Sequence, residues 1–287
     1  MTAATLAHGD CLELLPLVPS GSVDLVLVDL PYGMTDCDWD KVIPFDKMWE
    51  QLLRVGKKAC AFVFFAQQPF TTDLISSNRK AYRYNWTWIK NKASGFQYSR
   101  FQPMRRSEDV CVFYRNQPKY NSKGEPYTDP TTMPAARRYQ SGKSGGAALA
   151  MKRSDPGSGP AVSSSRKGGI YTYTHKTKTN VIEIPGVFNM SSEDALFRHP
   201  TQKPVALLRY LIEAYTEPGD VVLDFTMGVG STGVAAVQIG RRFFGIEKDS
   251  TYFIEAERRI EAARQDGDDG SASRSTADLV AAEPAPW

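Results

Sequence analysis

The stretch Val221–Gly233, VVLDFTMGVGSTG, contains the local signals from which the architecture of this chain follows. It opens with a short apolar run, which predicts a buried strand over Val221–Phe225 with the acidic Asp224 close to its end. A glycine-rich turn comes next, and a helix is predicted to begin at about Thr232. A strand, a tight turn and a helix in this order are typical of α/β folds with a parallel sheet.

The glycines of this turn predict a ligand site. Gly228, Gly230 and Gly233 permit tight backbone geometry and let a ligand come close to the N-terminus of the helix. Their spacing satisfies G-x-G-x-x-G, the pattern of dinucleotide-binding sites, although a plain strand–turn–helix junction is the alternative interpretation. Glu247 ends the next predicted strand, where a carboxylate can accept hydrogen bonds from two ribose hydroxyls. Together these features predict a nucleoside-containing cofactor, either NAD or S-adenosylmethionine.

Predicted strands and helices alternate along most of the chain outside this stretch, which indicates an α/β fold with a parallel sheet. A short apolar turn is predicted at Cys11–Leu17. The strands are buried apolar runs, and the helices carry apolar residues at helical spacing. The further predicted strands are Val23–Leu30, Ala59–Ala66, Tyr84–Ile89, Asp109–Tyr114 and Arg242–Ile246, and the predicted helices are Phe45–Val55, Pro69–Ser76, Pro204–Tyr215, Ser231–Ile239 and Ser250–Ala263.

The segment from Arg115 to Asn180 differs from the rest of the chain in charge and composition. It holds 12 Lys and Arg against 3 Asp and Glu, whereas the whole chain has a net charge of +3. Because it has many Gly and Ser and few aliphatic residues, it is predicted to be a mobile insertion or a small, poorly packed module. Its charge favours a polyanionic partner, nucleic acid first, while a basic solvated loop is the alternative interpretation.

These patterns divide the chain into four parts. Residues 1–115 and 181–264 carry the strands and helices of the α/β domain, and residues 116–180 form the basic insertion between them. Residues 265–287 are low in complexity and are predicted to be a disordered tail.

Composition argues against membrane, secreted and metal-binding classes. The longest apolar run, Ala59–Ala66, has eight residues, far fewer than the ~18 that a membrane-spanning helix needs. The N-terminus lacks the basic and apolar regions of a secretion signal. Four cysteines stand far apart without a C-x-x-C pair, and three histidines are scattered. We therefore expect no disulfide framework and no metal site, and a chain that works in a reducing cytoplasm.

A second motif, Asp29-Leu30-Pro31-Tyr32, lies at the end of the first predicted strand. Because ligands of open α/β sheets bind at the carboxyl ends of strands, this motif is expected to face the same crevice as the glycine turn. The Asp29 carboxylate and the Leu30 carbonyl, which Pro31 fixes, offer two acceptors. With the Tyr32 ring as a stacking surface, these groups suit the exocyclic amine of a planar base. A strand-ending turn with Tyr32 packed on the core is the alternative.

In these motifs the sequence resembles the amino-group DNA methyltransferases of the β arrangement, in which the catalytic motif precedes the glycine loop of the cofactor site. DLPY at 29–32 resembles the family's D-P-P-Y motif, and DFTMGVGSTG at 224–233 resembles its D-P-F-x-G-S-G-T loop. HPTQKP at 199–204 matches a family element letter for letter. With the similar segments around Asp10 and after Gly245, the resemblance spans residues 8–115 and 181–263.

The resemblance implies a Rossmann-like, mostly parallel sheet with helices on both faces, in the permuted order of these methyltransferases. It also implies S-adenosylmethionine as the cofactor. Gly228 and Gly230 would line its methionine moiety, Thr232 and Lys203 would lie near its carboxylate, and Glu247 would bind its ribose hydroxyls. The full set of implied cofactor-binding residues is Asp10, at the adenine amine, with Thr201, Lys203, Asp224, Phe225, Gly228, Gly230, Thr232 and Glu247.

For the reaction, the resemblance implies that Asp29 and the Leu30 carbonyl accept hydrogen bonds from the target amine while Tyr32 stacks on the flipped base. The sequence departs from the family pattern at Leu30, where proline is common, and at Thr226-Met227. The first change matters little because the functional atom at position 30 is in the backbone. Direct attack by the amine suffices, since a sulfonium is an excellent leaving group. Carbon-5 cytosine methylation instead needs a cysteine nucleophile, and no Pro-Cys dipeptide occurs here.

Double-stranded DNA is the implied partner, because a base must leave the duplex to enter such a pocket. In the family, the interval occupied here by residues 116–180 holds the target-recognition region. The resemblance leaves open whether the chain forms a homodimer and places it in a prokaryotic cell or its phage. The DNA-binding candidates in this interval are Arg137, Arg138, Lys152, Arg153, Arg166 and Lys167.

Asp29 favours adenine N6 as the target, since family members with Asp at that position tend towards adenine and those with Ser towards cytosine. Cytosine N4 is the main alternative. A methyltransferase acting on RNA or on a protein amide, an NAD-dependent oxidoreductase and a non-enzymatic DNA-binding module are further alternatives. An oxidoreductase leaves DLPY and HPTQKP unexplained, and the basic insertion suits a duplex better than RNA.

Overall fold

A computed structural model of the protein describes residues 4–34, 40–126, 137–138, 170–171, 175–184 and 202–268. The chain forms two compact units, one of Met1–Asn121 with Asn180–Trp287 and one of Ser122–Thr179. The strands are β1 (Ala4–His8), β2 (Val23–Asp29), β3 (Gly56–Ala66), β4 (Tyr82–Ser94), β5 (Arg105–Phe113), β6 (Lys123–Pro126), β7 (Arg137–Arg138), β8 (Ile170–Tyr171), β9 (His175–Thr177), β10 (Val181–Ile182), β11 (Val221–Asp224) and β12 (Arg242–Glu247). The helices are α1 (Cys11–Leu14), α2 (Phe45–Val55), α3 (Phe70–Ser77), α4 (Val205–Tyr215), α5 (Ser231–Gln238) and α6 (Ser250–Asp268).

An eight-stranded sheet forms the centre of the first unit, in the order β1-β12-β11-β2-β3-β5-β4-β10. Neighbouring strands pair in parallel except for the two pairs that β5 makes, with β3 and with β4, which are antiparallel. The predicted α/β fold with a Rossmann-like, mostly parallel sheet is therefore confirmed. Residues from both predicted α/β segments, before and after the basic insertion, pair in this one sheet.

Strand β2 shows why this sheet is buried on both faces. Its residues Leu25 to Val28 are apolar without interruption, and all four are buried. Because side chains alternate along a strand, Leu25 and Leu27 pack in the apolar cluster on one face, and Val26 and Val28 pack in the cluster on the other. Unbroken apolar runs of this kind are typical of parallel strands that are covered by helices on both sides.

Helices pack against both faces of the sheet. α4, α5 and α6 contribute to the cluster that contains Leu25, and α2 and α3 contribute to the cluster that contains Val26. In α2 the buried residues Met48, Trp49, Leu52 and Val55 recur at helical spacing, so one stripe of the helix faces the sheet. The predicted helices on both faces are confirmed.

β2 and β11 are neighbours in the sheet, and the chain leaves them in opposite directions along the sheet. From β2 the chain passes through α2 to β3 on one side, and from β11 it passes through α5 to β12 on the other side. The two helices consequently cover opposite faces and leave a crevice between the carboxyl ends of β2 and β11. Such a point, where the strand order reverses, is where ligands of open α/β sheets bind.

Several elements differ from their predictions. β1 was not predicted, and β3 and β5 begin at Gly56 and Arg105, ahead of their predicted starts at Ala59 and Asp109. β4 continues to Ser94, five residues past its predicted end, because it forms a hairpin with β5 beyond the apolar stretch. α6 continues to Asp268 and takes up the first residues of the predicted tail. Its last turns are held by Glu261, which pairs with Arg264 at 2.8 Å and accepts from Gln265. Cys11–Leu17 is helical rather than a simple turn.

The second unit contains two short antiparallel pairs in its described part, β6 with β9 and β7 with β8. Most of the predicted basic insertion lies outside the described residues, as does the predicted tail beyond Asp268. Among the helices that the structure describes, none is both long and apolar enough to cross a membrane.

Replacing Gly230 by Ala should destabilise the protein more than the same change at Gly219. Both residues have a left-handed backbone, with φ of +77° and +86°, so each variant should lose about 1–2 kcal/mol of folding free energy. At Gly230 the added Cβ would also lie 2.9 Å from the Cβ of Ala256 in α6, whereas at Gly219 it meets nothing within 4 Å. Measured by urea denaturation, the unfolding free energy of G230A should therefore be lower than that of G219A by about 1 kcal/mol or more. Equal losses would contradict this packing role.

Candidate active site

Four neighbouring strands end at acidic residues along one edge of the sheet. Asp10 follows β1, Glu247 ends β12, Asp224 ends β11 and Asp29 ends β2, in the order in which the strands lie side by side. All four line one cavity of about 510 Å³. The glycine turn and the Asp29 motif therefore open into one shared crevice, as the sequence predicted.

The end of β2 is tied directly to the turn that follows β11. The hydroxyl of Thr226 donates to the backbone carbonyl of Asp29 over 2.9 Å. Leu30 and Pro31 continue the chain along the cavity wall. The hydrogen bond fixes the distance between the two motifs, although they lie almost two hundred residues apart in sequence.

Asp29 belongs to a cluster of charged side chains around one ammonium group. Nζ of Lys203 lies 2.7 Å from Oδ2 of Asp29 and 3.0 Å from Oε1 of Glu108. Lys203 and Glu108 are buried, with 9% and 8% of their side chains exposed, while Asp29 is 27% exposed. Lys90 approaches the other oxygen of Glu108 at 3.6 Å. Two carboxylates thus share a buried cation, and Asp29 is the more exposed of the two.

The electrostatics of this cluster follow from burial and from the shared ammonium. Burial raises the pKa of Asp29, an effect that the charge of Lys203 partly offsets. Burial alone would also raise the pKa of Glu108, but Lys203, Lys90 and the Tyr32 hydroxyl outweigh it and hold that pKa below its ordinary value. Burial opposes the charge on Lys203, yet the two carboxylates hold its pKa above the ordinary value. Lys203 therefore stays protonated and favours the ionised form of both acids.

Tyr32 closes the same cluster from the other side. Its hydroxyl lies 2.9 Å from Oδ1 of Asp29 and 3.0 Å from Oε1 of Glu108, so it can donate to either carboxylate. Its ring stacks on Phe70 with the centroids 5.1 Å apart. Tyr32 is not among the residues that line the cavity, and its predicted stacking on a base stays a prediction.

The glycine turn holds Glu247 through the backbone. The amide of Gly228 donates to Oε2 of Glu247 over 2.8 Å, and the amides of Lys248 and Asp249 donate to Oε1 at the same distance. Gly228 has φ of +52° and open space where a Cβ would stand, so a ligand can approach its backbone closely. Gly230 is not among the residues that line the cavity, and the site of its absent Cβ faces Ala256. Its predicted contact with the cofactor stays a prediction.

The remaining described candidates also lie at this edge. Phe225 and Thr232 are buried and line the cavity. Asp10 lines it as well, while its carboxylate caps α1 through the amide of Leu12 and pairs with Lys248 at 3.2 Å. The predicted place of Lys203 near a cofactor carboxylate stays a prediction, because in the structure its ammonium contacts Asp29 and Glu108.

Of the predicted DNA-binding residues, Arg137 and Arg138 are described at the backbone, where they form β7 and pair with Tyr171 and Ile170. The candidates that lie outside the described part of the chain are Thr201, Lys152, Arg153, Arg166 and Lys167. Within the described residues, no group of three or more His, Cys, Asp or Glu side chains could hold a metal ion.

Glu108 was not among the predicted site residues. Those residues lie near the carboxyl ends of predicted strands, whereas β5 is antiparallel to its neighbours and therefore begins at this edge. Glu108 pairs with Trp88 near the start of β5 and so lies on the same edge as Asp29. The signal available in the sequence was a pair of acidic residues, Glu108 and Asp109, directly before the apolar run VCVF.

Asp224 should make the stability of the protein depend on pH. Burial raises its pKa to about 7, despite hydrogen bonds from Thr232 and from the amide of Thr226. Because the folded state then binds this proton more tightly than the unfolded state, unfolding free energy should fall as pH rises from about 4 to 7. From pH 5 to pH 8, the unfolding free energy of the unsubstituted protein should therefore fall by about 2 kcal/mol more than that of D224N. Chemical denaturation at both pH values measures this, and parallel pH profiles would contradict it.

Comparison with known proteins gives the family. Residues 23–258 match the N6 and N4 methyltransferase family described as DNA methylase. The DNA adenine methyltransferase YhdJ of Escherichia coli (strain K12) is 30% identical over 276 residues, which are 91% of this chain and 84% of that protein. The type II methyltransferase M.HinfI of Haemophilus influenzae is 24% identical over 300 residues, which cover 92% of this chain and 70% of that protein.

Solved structures share the fold. The complex of M1.HpyAVI with SAM superposes with a TM-score of 0.56 at 19% identity and covers 89% of this chain and 99% of its own. The cytosine-N4-specific PvuII DNA methyltransferase gives a TM-score of 0.61 at 15% identity and covers 94% of each chain. The predicted family is thus confirmed by sequence, and the predicted fold by structure. Because the family match spans most of the chain, this protein belongs to the DNA methylase family of N6 and N4 methyltransferases.

Proposed function

We propose that this protein transfers a methyl group from S-adenosylmethionine to the N6 amine of an adenine that has been flipped out of duplex DNA. One observation carries the proposal: Asp29 and Leu30 at the end of β2 share a single cavity with the glycine turn after β11. One end of this cavity offers acceptors for an amine. The other end has the carboxylate and the open glycine backbone that suit a nucleoside-containing cofactor.

The cavity fits such a cofactor in size and chemistry. Its volume of about 510 Å³ lies within the ~300–1,000 Å³ of ligand pockets. Glu247 and Asp10 would hold the polar groups of the nucleoside, Gly228 allows close approach, and Phe225 supplies an apolar wall. M1.HpyAVI, which shares the fold, has been solved with SAM. When bound, S-adenosylmethionine supplies a methyl group on a sulfonium, which is an excellent leaving group.

The residues of the chain then need only to hold and orient the amine. Asp29 and the carbonyl of Leu30 would accept hydrogen bonds from the two N–H groups of the amine. These hydrogen bonds favour a more nucleophilic nitrogen and stabilise the positive charge that develops on it. Lys203 supports this role because it favours the ionised form of Asp29, and an ionised carboxylate only accepts hydrogen bonds. Tyr32 fixes the Asp29 carboxylate through its hydroxyl.

Adenine is preferred to cytosine as the target on two grounds. Asp29 stands at the first position of its motif, and the relative with 30% identity is named a DNA adenine methyltransferase. Mass analysis of nucleosides from DNA treated with the purified protein tests the choice. The proposal predicts N6-methyladenine. If N4-methylcytosine is found without N6-methyladenine, the target is cytosine and the adenine proposal is wrong.

Duplex DNA as substrate agrees with the family, and competition between DNA and RNA duplexes would test it directly. The two relatives named above come from bacteria, whose DNA lies in the cytoplasm, so we place the activity there. Whether the protein works as a homodimer is measured by sedimentation under the same conditions.

Replacing Asp29 by Asn should abolish most methyl transfer while DNA binding is largely retained. The loss should be on the order of 100-fold, the scale of removing one preorganised electrostatic group. D24N is a matched control, because Asp24 lies at the other end of β2 and also pairs with a lysine, Lys57, at 2.7 Å. Transfer of a radiolabelled methyl group measures activity, and gel shift measures binding.

The control should keep its activity after correction for the folded fraction. Unchanged methyl transfer by a folded D29N protein would contradict the proposed role of this carboxylate.

A further inference from the structure

The hairpin that joins β4 to β5 carries large exposed side chains that the site above does not use. We name residues 94–105 the aromatic hairpin. Phe101 is 87% exposed and Phe96 is 77% exposed, while Tyr98 and Met104 are exposed to 53% and 40%. Single exposed apolar residues are common on protein surfaces, but several in one short segment mark an interaction surface.

The charge around this segment selects the kind of partner. Residues 89–107 contain five basic side chains and no acidic one. A second copy of the same surface would bring like charges together, whereas a polyanion would be attracted. Aromatic rings beside cations are the combination that binds nucleic acid, because bases stack on the rings and phosphates pair with the cations. The basic residues are Lys90, Lys92, Arg100, Arg105 and Arg106.

The aromatic hairpin rises from the edge of the sheet that carries the active site. At its base, Lys90 of β4 approaches Glu108 of β5 at 3.6 Å, and Glu108 contacts Lys203 in the cavity wall. Arg105 also donates to Gln67, just after β3, over 2.9 Å. From Glu108, β5 extends three residues further towards the tip, to Arg105, where it pairs with Ser94, which is about 10 Å at the rise of an extended chain. That reach is enough to enter a groove of duplex DNA, which is ~8.5 Å deep in the major groove.

The tip of the aromatic hairpin is held by its own hydrogen bonds. The amides of Tyr98 and Ser99 donate to Gly95 and Phe96, and the amides of Phe101 and Gln102 both donate to Tyr98. These backbone hydrogen bonds keep Phe96 and Phe101 in defined positions while their rings stay exposed. A partner can then bind them with a smaller loss of conformational entropy.

We propose that the aromatic hairpin is a DNA-contact surface on which Phe96 and Phe101 stack against bases that lose their neighbours when the target base leaves the duplex, while Arg100 contacts the backbone phosphates. This inference rests on the proposed function, since flipping a base exposes the faces of the bases next to it. Apolar side chains that stack in this way also offset part of the cost of unstacking.

The test compares binding to two short duplexes, one intact and one with a single abasic site, which exposes base faces without any enzyme action. The protein should prefer the abasic duplex. The double variant F96A/F101A should lose about tenfold in affinity for it, as expected for lost stacking, and should lose the preference. L17A is the matched control, because Leu17 is 75% exposed and lies before β2, at the opposite edge of the sheet. Fluorescence anisotropy measures both affinities.

Salt dependence separates the aromatic from the cationic contacts. F96A/F101A should leave the slope of log Kd against log salt unchanged, and R100A should reduce it by about one. The inference is overturned if F96A/F101A binds both duplexes as the unsubstituted protein does. It is also overturned if the variant only converts a dimer to a monomer in sedimentation and keeps its DNA affinity.

Methylation by the unsubstituted protein is measured in parallel, so that the two proposals fail separately. If it methylates DNA and the variant binds normally, the aromatic hairpin has no role and the proposed function stands. If it does not methylate DNA, the proposed function fails, and the binding data still decide whether the aromatic hairpin contacts DNA.

Discussion

Lys203 places its ammonium group in a nearly closed space between Asp29 and Glu108, at 2.7 Å and 3.0 Å from their carboxylates. The three residues come from separate parts of the sequence: β2, β5 and the segment before α4. Without the ammonium, two neighbouring carboxylates would face each other with little water, and breaking a buried pair of this kind costs about 3–5 kcal/mol. Nζ of Lys203 also lies over the ring of Phe65, 5.0 Å from the ring centroid, which adds a cation–π contact.

This ion cluster also explains how the fold produces a site for amine chemistry. The reversal of strand order between β2 and β11 opens a crevice, and the Thr226 hydroxyl ties its two sides together through the carbonyl of Asp29. The residues proposed to hold the cofactor lie on the β11 and β12 side, where backbone amides donate to Glu247. Acceptors for a substrate amine lie on the β2 side, where Lys203 and Tyr32 hold the Asp29 carboxylate. The reaction needs little acid–base machinery, so position and charge are the main contributions of the protein.

Local sequence patterns predicted the parts of the fold that local physics determines. The unbroken apolar run of β2 and the glycines after β11 identified both sides of the crevice, because strand burial and left-handed turns leave clear signatures. The helix Phe45–Val55 was predicted with its observed bounds for the same reason.

Features that depend on pairing across the sheet could not be predicted in this way. Glu108 reaches the site because β5 is antiparallel, and no local pattern gives the direction of a strand. The exposed end of β4, from Asn91 to Ser94, lacks the apolar signal and is a strand because β5 pairs with β4 as far as Ser94. Lys203 was assigned to the cofactor from the family pattern, and only the structure shows that its ammonium joins two carboxylates.

The central claim is that the ends of β2 and β11 form one site in which a base amine meets the cofactor. The most direct measurement is a crystal structure of the protein with duplex DNA and S-adenosylhomocysteine. The account predicts S-adenosylhomocysteine in the described cavity against Gly228 and Glu247, and a flipped base with its amine within hydrogen-bonding distance of the Asp29 carboxylate and the Leu30 carbonyl. A cofactor product bound outside this cavity, or a flipped base with its amine directed away from Asp29, would contradict it.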